Sequence, residues 1–363
     1  MAFPVVPGLE AADLLTLTAR LVDVPSVSHD EAVLADLVEA WCRGIDGLTV
    51  DRVGDNVVAR TQRGAARRVV LAGHLDTVPP HDNATARVDG DVLWGLGSAD
   101  MKAGLAVMLD ALCRDGLAVD VTAVFYACEE VASVHSGLGA LVRDRPELLA
   151  GDVALLGEPT GATLEAGCQG TLRVRVTMAG RRAHTARAWM GTNAVHRLGP
   201  VLSVFEGYEA RRPVIDGCEY REALQAVEVT GGVATNVVPD VASVLVNHRF
   251  APDRSEDEAL DHVLGLLAPH LGPDDRVERT ESVPAAAPGL DHPALAALVG
   301  RNDLTVRAKL GWTDVARFAA IGIPAANLGP GDPTLAHTAD ERVERHELDR
   351  VSAAVGDLLR TGW

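Results

Sequence analysis

The sequence predicts an α/β protein in which a mostly parallel central sheet, covered by helices, is interrupted by a ferredoxin-like α+β domain. Two observations predict this fold. Four short apolar runs lack the apolar–polar alternation of a half-exposed strand, so both faces of these strands should be buried, as in a parallel sheet between helices. The stretch 169–283 does alternate, which is typical of strands with one face in solvent.

The four buried runs alternate with helical patterns. They are RVVLAG (68–73), VTAVFYAC (121–128), DVALLG (152–157) and IPAANLG (323–329). Between them, apolar residues recur at helical spacing, for example in MKAGLAVMLDALCRDG. Such an alternation of strands and helices favours an α/β domain.

The alternating stretch reads as a separate, smaller domain. TLRVRVTMAG (171–180) and VASVLVNHRF (241–250) are its clearest strands, and two helical segments complete the order β-α-β-β-α-β of a ferredoxin-like unit. We therefore expect 1–168 and 284–363 to form the two parts of the larger domain, with 169–283 inserted between them.

Composition excludes several classes of function. The chain has 363 residues, 47% of them apolar, and a net charge of −18, which argues against nucleic acid or an anionic membrane as a partner. No apolar run approaches the roughly 18 residues of a transmembrane helix. The N-terminus lacks the basic-then-apolar pattern of a secretory signal, so we expect a cytoplasmic protein. Five cysteines without a CxxC pair leave His, Asp and Glu as candidate metal ligands.

Titratable residues follow the buried runs. In an open parallel sheet, ligands bind beyond the carboxyl ends of the strands. The residues expected there are His74, Asp76, Glu129, Glu130, Glu158 and His337, together with Asp100 at the end of the glycine-rich WGLGSAD. Each alone has an ordinary structural explanation, such as a helix N-cap for Asp100. Together, so many carboxylates at one edge would repel each other strongly without a cation.

The set of donors indicates a hydrolytic metal centre. Imidazoles and carboxylates without thiolates suit a catalytic Zn²⁺ site, and also Mn²⁺ or Co²⁺. With Asp76 and one of the two adjacent glutamates set aside for other roles, five candidate ligands remain. One catalytic ion needs only three protein ligands, whereas two ions that share a carboxylate would use all five. Asp76 lies two residues after His74 and can orient its imidazole. Of the adjacent Glu129 and Glu130, one can be a ligand while the other takes a proton from water.

These motifs resemble a known family. GHLDTVP, the glycine-rich loop ending in ADMK, CEE, GEPT and the late histidine occur in the order seen in the dinuclear zinc aminoacylase and carboxypeptidase family, over nearly the whole chain. The resemblance implies two Zn²⁺ per chain, for which Co²⁺ or Mn²⁺ can substitute. The roles it implies are His74 and Glu158 at one ion, Glu130 and His337 at the other, Asp100 bridging, Glu129 as general base, and Asp76 as the partner of His74. It also implies a cis Asp100–Met101 peptide.

The resemblance also assigns roles to the inserted domain. It implies that this domain makes a homodimer and that His184, in GRRAHTA, stabilises the oxyanion in the partner's site. Asn236 in TNVVP and Arg249 in NHRF resemble contacts to a substrate carboxylate. Thr313, in LGWTDVARF, is a candidate substrate contact.

The expected substrate is a small N-acyl amino acid. LGWTDVARF (310–318) and GPGDPTLAH (329–337) most resemble family members that hydrolyse N-succinyl-LL-2,6-diaminopimelate to succinate and LL-2,6-diaminopimelate. Leu96 and the GWTD segment depart from patterns common in the family, which leaves the acyl and amine specificity open. Deacetylation of acetylornithine and hydrolysis of a small dipeptide are alternatives, and a catalytically silent binding protein is an alternative of a different class.

Overall fold

A computed structural model describes residues 3–363. The chain divides into two compact units. The larger comprises residues up to Gly167 together with Pro288–Arg307 and Asp314–Trp363, and the smaller comprises Cys168–Ala287 and Ala308–Thr313. The sequence predicts 169–283 for the inserted domain; by its contacts the smaller unit also includes Cys168 and the segments 284–287 and 308–313.

The first part of the larger unit alternates helices and strands. Its helices are α1 (Leu14–Val22), α2 (Ala32–Arg43), α3 (Lys102–Leu112) and α4 (Gly137–Asp144). Its strands are β1 (Leu48–Val53), β2 (Asn56–Thr61), β3 (Arg68–His74), β4 (Arg87–Asp89), β5 (Val92–Trp94), β6 (Asp120–Tyr126), β7 (Val153–Leu156) and β8 (Leu164–Ala166).

The smaller unit follows in the chain. Its strands are β9 (Gly170–Ala179), β10 (Val214–Ile215), β11 (Cys218–Glu219), β12 (Ala223–Gly231), β13 (Val241–Phe250) and β14 (Arg276–Val283). Its helices are α5 (Ala194–Glu206) and α6 (Glu256–Leu267). Ser255 and Glu258 form a capping box that satisfies the first N–H groups of α6.

The chain then returns to the larger unit. The remaining strands are β15 (Val306–Ala308), β16 (Ala325–Asn327) and β17 (Arg342–Glu344). The remaining helices are α7 (Pro293–Asn302), α8 (Val315–Ala320) and α9 (Arg345–Thr361).

The sheet of the larger unit has the order β1-β2-β6-β3-β7-β16-β8-β15. Its four central strands, β6, β3, β7 and β16, run parallel, and they are the four apolar runs of the sequence. Strands β1, β2 and β8 pair antiparallel on either side. The predicted α/β class is therefore confirmed. The parallel strands end at one edge, where the candidate ligands follow.

Helices α1, α3 and α9 pack on one another, and α3 also packs on β3 and β6. Helix α3 is apolar around nearly its whole circumference because it lies between the sheet and these helices. Gly104 permits close packing, since a Cβ there would lie 2.2 Å from the main-chain oxygen of Gly157. This contact holds the start of α3 near the carboxyl end of β7.

The smaller unit is a four-stranded antiparallel sheet of order β12-β13-β9-β14. This is the strand order of a ferredoxin-like fold, with the small hairpin β10-β11 added. The inward residues of β9 alternate with half-buried ones and pack against α5 and α6, as the alternating pattern predicts. Strand β12 lies at one edge and is largely exposed.

Among residues 3–363, none of the helices combines the length and apolar character required to cross a bilayer.

Candidate metal centre

The predicted ligands of the larger unit meet at the carboxyl edge of its parallel strands. His74 is the last residue of β3, Glu129 and Glu130 follow β6, and Glu158 follows β7. Asp100 immediately precedes Met101, the N-cap of α3. His74 and Glu158 are buried, while His337 is about half exposed, at 48% of its side chain.

Asp76 holds the two adjacent glutamates in place. Its Oδ1 accepts a hydrogen bond from the main-chain N–H of Glu129 at 2.9 Å, and its Oδ2 accepts one from Glu130 at 3.0 Å. Oδ2 also accepts a 2.7 Å hydrogen bond from the Ser28 hydroxyl. The turn that presents both N–H groups begins at Cys128, which has a positive φ of 58°. A buried carboxylate thus satisfies the main chain from which two more carboxylates project.

The same residue orients His74, largely through its main chain. His74 Nδ1 lies 3.0 Å from the Asp76 main-chain oxygen and 3.5 Å from its Oδ1. A proton on Nδ1 leaves Nε2 free to act as a ligand, and Nε2 faces the centre. The sequence predicts that the Asp76 side chain orients His74. In the structure, His74 Nδ1 lies closer to the Asp76 main-chain oxygen than to the Asp76 carboxylate.

Asp100 joins two clusters of donors. The first cluster is His74, Asp100 and Glu158, and the second cluster is Asp100, Glu130 and His337; in each, the donor atoms lie within 4.8 Å of one another. Asp100 Oδ1 is 3.2 Å from His74 Nε2, while Asp100 Oδ2 is 3.4 Å from His337 Nε2. His337 Nε2 is also 2.7 Å from Glu130 Oε1. The carboxylate therefore turns one oxygen towards each imidazole, which is the placement that a bridging ligand requires.

The donors fit a pair of divalent cations. Each cluster supplies one imidazole and two carboxylates, counting Asp100 in both, and no thiolate takes part. Such donors suit zinc, cobalt or manganese. The Asp100–Met101 peptide is cis, as the family resemblance implies.

Several acids and bases of the centre have pKa values shifted from their usual range. Burial lowers the pKa of His74, but hydrogen bonds to Asp100 and Asp76 outweigh it, so its pKa lies well above the usual range. Hydrogen bonds to Asp100 and Glu130 raise the pKa of His337 to about 10. Burial opposes ionisation of Asp76, yet its hydrogen bonds and the His74 charge lower its pKa to about 2.

Glu129 has the properties of a general base beside these clusters. Burial raises the pKa of Glu129 well above its usual range, and the carboxylates of Glu158 and Asp314 raise it further. A raised pKa makes a carboxylate a better proton acceptor. Its neighbour Glu130 contacts His337. Donor atoms of Glu129, Glu130 and His74 also lie within 4.8 Å of one another.

The remaining predicted site residues belong to the smaller unit. His184 is exposed, and its Nδ1 accepts a 3.0 Å hydrogen bond from the Ala186 N–H. Thr185 donates a hydrogen bond to the Asn236 main-chain oxygen at 3.0 Å, so the segments carrying His184 and Asn236 are adjacent. Arg249, on β13, is half-buried and donates to the Thr171 hydroxyl. Thr313 is buried, and its hydroxyl has no hydrogen-bond partner among the described residues.

Sequence reasoning missed three residues around the centre. Ser28 binds Asp76, as described above. Asp314 is buried and accepts a 2.6 Å hydrogen bond from Arg317. Its negative charge raises the pKa of Glu129. Glu341 binds the loop that carries Asp100. The position of Asp314 directly after the candidate Thr313 could have indicated a residue of the site. Glu341 lies in a polar segment, and nothing in the sequence around it indicates a role in the site.

Comparison with known proteins places the chain among metallopeptidases. Residues 70–361 match peptidase family M20/M25/M40. A Corynebacterium glutamicum protein named succinyl-diaminopimelate desuccinylase is 46% identical over 365 residues, which cover 97% of this chain and 98% of the relative. A Mycobacterium tuberculosis H37Rv protein whose name gives the same activity is 53% identical over 350 residues, covering 96% of this chain and 97% of the relative.

A solved structure has a similar fold. The Bacillus subtilis YXEP protein, described as a dinuclear metal-binding peptidase from the M20 family, superposes with a TM-score of 0.70 at 16% identity. The superposition covers 96% of this chain and 98% of that one. At this identity the likeness concerns the fold.

Proposed function

The chain belongs to peptidase family M20/M25/M40, and from this premise we propose that it hydrolyses N-succinyl-LL-2,6-diaminopimelate to succinate and LL-2,6-diaminopimelate. The observation that carries the proposal is the position of Asp100, whose two oxygens each face the imidazole of a different cluster. The names of the two close relatives support the choice of substrate.

Two Zn²⁺ ions per chain are part of the proposal. His74 and Glu158 would hold one ion, Glu130 and His337 the other, and Asp100 both. The ions would supply Lewis-acid chemistry, polarising the amide carbonyl and making water more acidic. The fit of the donors supports this arrangement, and Co²⁺ or Mn²⁺ would be accepted by the same donors.

Glu129 then moves the proton. It takes a proton from the attacking water as the C–O bond forms and returns it to the amide nitrogen as the C–N bond breaks, so that succinate and a free amine leave. Asp76 keeps the main chain of Glu129 in place during both transfers. The raised pKa of Glu129 suits acceptance of the proton.

The proposal also gives roles to residues of the smaller unit. His184 would stabilise the oxyanion of the tetrahedral intermediate in the partner subunit of a homodimer. Asn236 and Arg249 would bind substrate carboxylate groups, and Thr313 would contact the substrate. The exposure of His184 and of edge strand β12 supports a role for this unit in pairing with a second copy.

We also propose a cytoplasmic location. Within residues 3–363 no disulfide joins the five cysteines, all of which are buried, and this supports a reducing compartment.

A panel of substrates tests the proposed activity. Zinc-loaded protein is incubated with N-succinyl-LL-2,6-diaminopimelate, N-acetylornithine and a small dipeptide, and the released amine is quantified. We expect the highest kcat/KM with the succinyl substrate. A higher value with acetylornithine or the dipeptide would reassign the substrate within the same chemistry, and hydrolysis of none of them would contradict the proposal.

A further inference from the structure

Glu341 is a fully buried acid whose carboxylate is surrounded by main-chain N–H groups of the glycine-rich loop. Its Oε2 accepts a hydrogen bond from Gly97 at 3.0 Å. Its Oε1 accepts hydrogen bonds from Ala99 at 3.0 Å and from Asp100 at 2.9 Å. Burying a carboxylate is costly unless hydrogen-bond donors replace its bound water. The three N–H groups do so here and fix the position of the Glu341 side chain.

The main chain adds further connections between the two segments. The Glu341 main-chain oxygen accepts a hydrogen bond from Gly95 N–H at 3.1 Å. The Thr338 oxygen accepts one from the Asn83 side chain at 3.1 Å, and the Asn83 oxygen accepts one from Leu96 N–H at 2.8 Å. The segment that begins at His337 is thus joined to the loop that ends at Asp100.

Within the loop, Ser98 N–H donates to the Gly95 oxygen at 3.0 Å and Lys102 N–H to the Gly97 oxygen at 2.8 Å, whereas the N–H groups of Gly97, Ala99 and Asp100 are bound by Glu341. Gly97 has a φ of +75°, and a Cβ there would lie 2.9 Å from Thr77 Cγ2. Its N–H groups precede α3, and Glu341 supplies acceptors for three of them. The buried Lys102 side chain donates a hydrogen bond to the Val24 oxygen at 2.7 Å.

The two clusters differ in how they are anchored. His74 and Glu158 follow neighbouring strands of the parallel sheet, which hold them independently of Glu341. His337 is half exposed and has a positive φ of 63°, in a segment without regular secondary structure. On its C-terminal side this segment is tied to the rest of the unit by the hydrogen bond from Asn83 to the Thr338 oxygen and by the bonds between Glu341 and the Asp100 loop.

We infer that Glu341 is a positioning residue that holds Asp100 next to His337. The second cluster should therefore depend on Glu341 more than the first does. This inference rests on the proposed two-ion centre. It predicts a selective weakening of one metal site when Glu341 is altered. A purely structural role for Glu341 would weaken both sites together.

Metal titration of the full-length protein tests the inference. Glu341→Gln keeps the size of the side chain but replaces one acceptor oxygen with an amide NH₂, which faces an N–H donor. Metal-free wild type and variant are titrated with Zn²⁺ by calorimetry, and thermal unfolding is followed in parallel. We expect wild type to bind two ions, and the variant to bind the first ion as wild type does and the second about 10–100-fold more weakly.

Two further variants sharpen the comparison. Asp340→Asn alters the neighbouring exposed acid and should leave both binding events unchanged. Glu341→Asp keeps the charge but is shorter by one methylene, so it should also weaken the second event if position is what matters. If Glu341→Gln does not fold, the two metal-binding events are compared between wild type and Glu341→Asp instead.

Several outcomes would overturn the inference. They are wild-type affinity for both ions in Glu341→Gln, equal weakening of both events together with a lower Tm, or failure of both Glu341 variants to fold. Binding of fewer than two ions by wild type would instead refute the proposed two-ion centre, whatever the variants do.

Discussion

The carboxylate of Asp76 accepts a 2.9 Å hydrogen bond from the main-chain N–H of Glu129. Its second oxygen does the same for Glu130. This explains how two adjacent acids can stand at the end of a buried strand: a third carboxylate binds their main chain, and their side chains are left to point into the centre.

Replacing Asp76 should therefore destabilise the protein. In Asp76→Asn one buried N–H faces an amide NH₂ and loses its acceptor, so we expect the free energy of unfolding to fall by about 1–3 kcal/mol. Urea denaturation of the metal-free protein measures this. Ser28→Ala is the matched control: it removes the third hydrogen bond to Asp76 but leaves both N–H groups satisfied, and it should cost less.

The effect of Asp76 should also depend on pH. Its pKa is lowered from 3.8 to about 2 in the folded protein. The stability that this provides is present above pH 4 and is lost as pH falls through the folded pKa, because both states are then protonated. The difference between wild type and Asp76→Asn should therefore shrink below pH 4. A difference that grows as pH falls would contradict this account.

The two adjacent glutamates should fail in different ways. Glu129→Ala should keep the fold and both metal sites but lower kcat by about 10²–10⁴, since a positioned acid/base group is lost. Glu130→Ala should weaken one metal site, because Glu130 contacts His337. Metal titration together with steady-state kinetics separates these effects. The reverse pattern would exchange the roles of the two residues.

Metal binding should release protons. Hydrogen bonds to Asp100 and Glu130 raise the pKa of His337 to about 10, so without zinc its imidazole should be protonated at pH 7. Ligation requires a neutral imidazole, so saturation with zinc should release at least one proton per chain, and affinity should rise from pH 6 to pH 8. Calorimetry in buffers of different ionisation enthalpy counts these protons. Binding without proton release would show that the His337 imidazole is not a ligand.

Mixed dimers test whether the proposed site is shared between subunits. His184→Ala and Glu129→Ala homodimers should each be nearly inactive. A heterodimer of the two would contain one site with both wild-type residues if His184 acts in the partner's site, and would regain close to half of wild-type activity. If a verified heterodimer stays inactive, His184 does not act across the dimer.

Much of the fold could be predicted from local patterns. The four apolar runs are β6, β3, β7 and β16, because a strand buried on both faces leaves an unbroken apolar signal. The antiparallel strands β1 and β2 were missed, since their mixed residues around Gly54 resemble an ordinary loop. The family expected from the motifs is confirmed by the match over residues 70–361.

The supporting contacts of the centre could not be predicted in the same way. Strand ends bring His74, Glu129 and Glu158 to one edge because parallel strands share a direction. The hydrogen bond between Asp100 and Glu341 joins residues 241 positions apart, and no spacing in the sequence reports it. Such contacts follow from the tertiary fold and become visible only in three dimensions.

We propose that Asp100 would be a ligand of both ions in a two-ion centre at which the succinyl amide is hydrolysed. The most direct measurement is the number of zinc ions bound per chain at saturation, with hydrolysis of N-succinyl-LL-2,6-diaminopimelate recorded at each point of the titration. We predict two ions per chain, with full activity reached only as the second one binds. Full activity with a single ion per chain at saturating zinc would contradict the account.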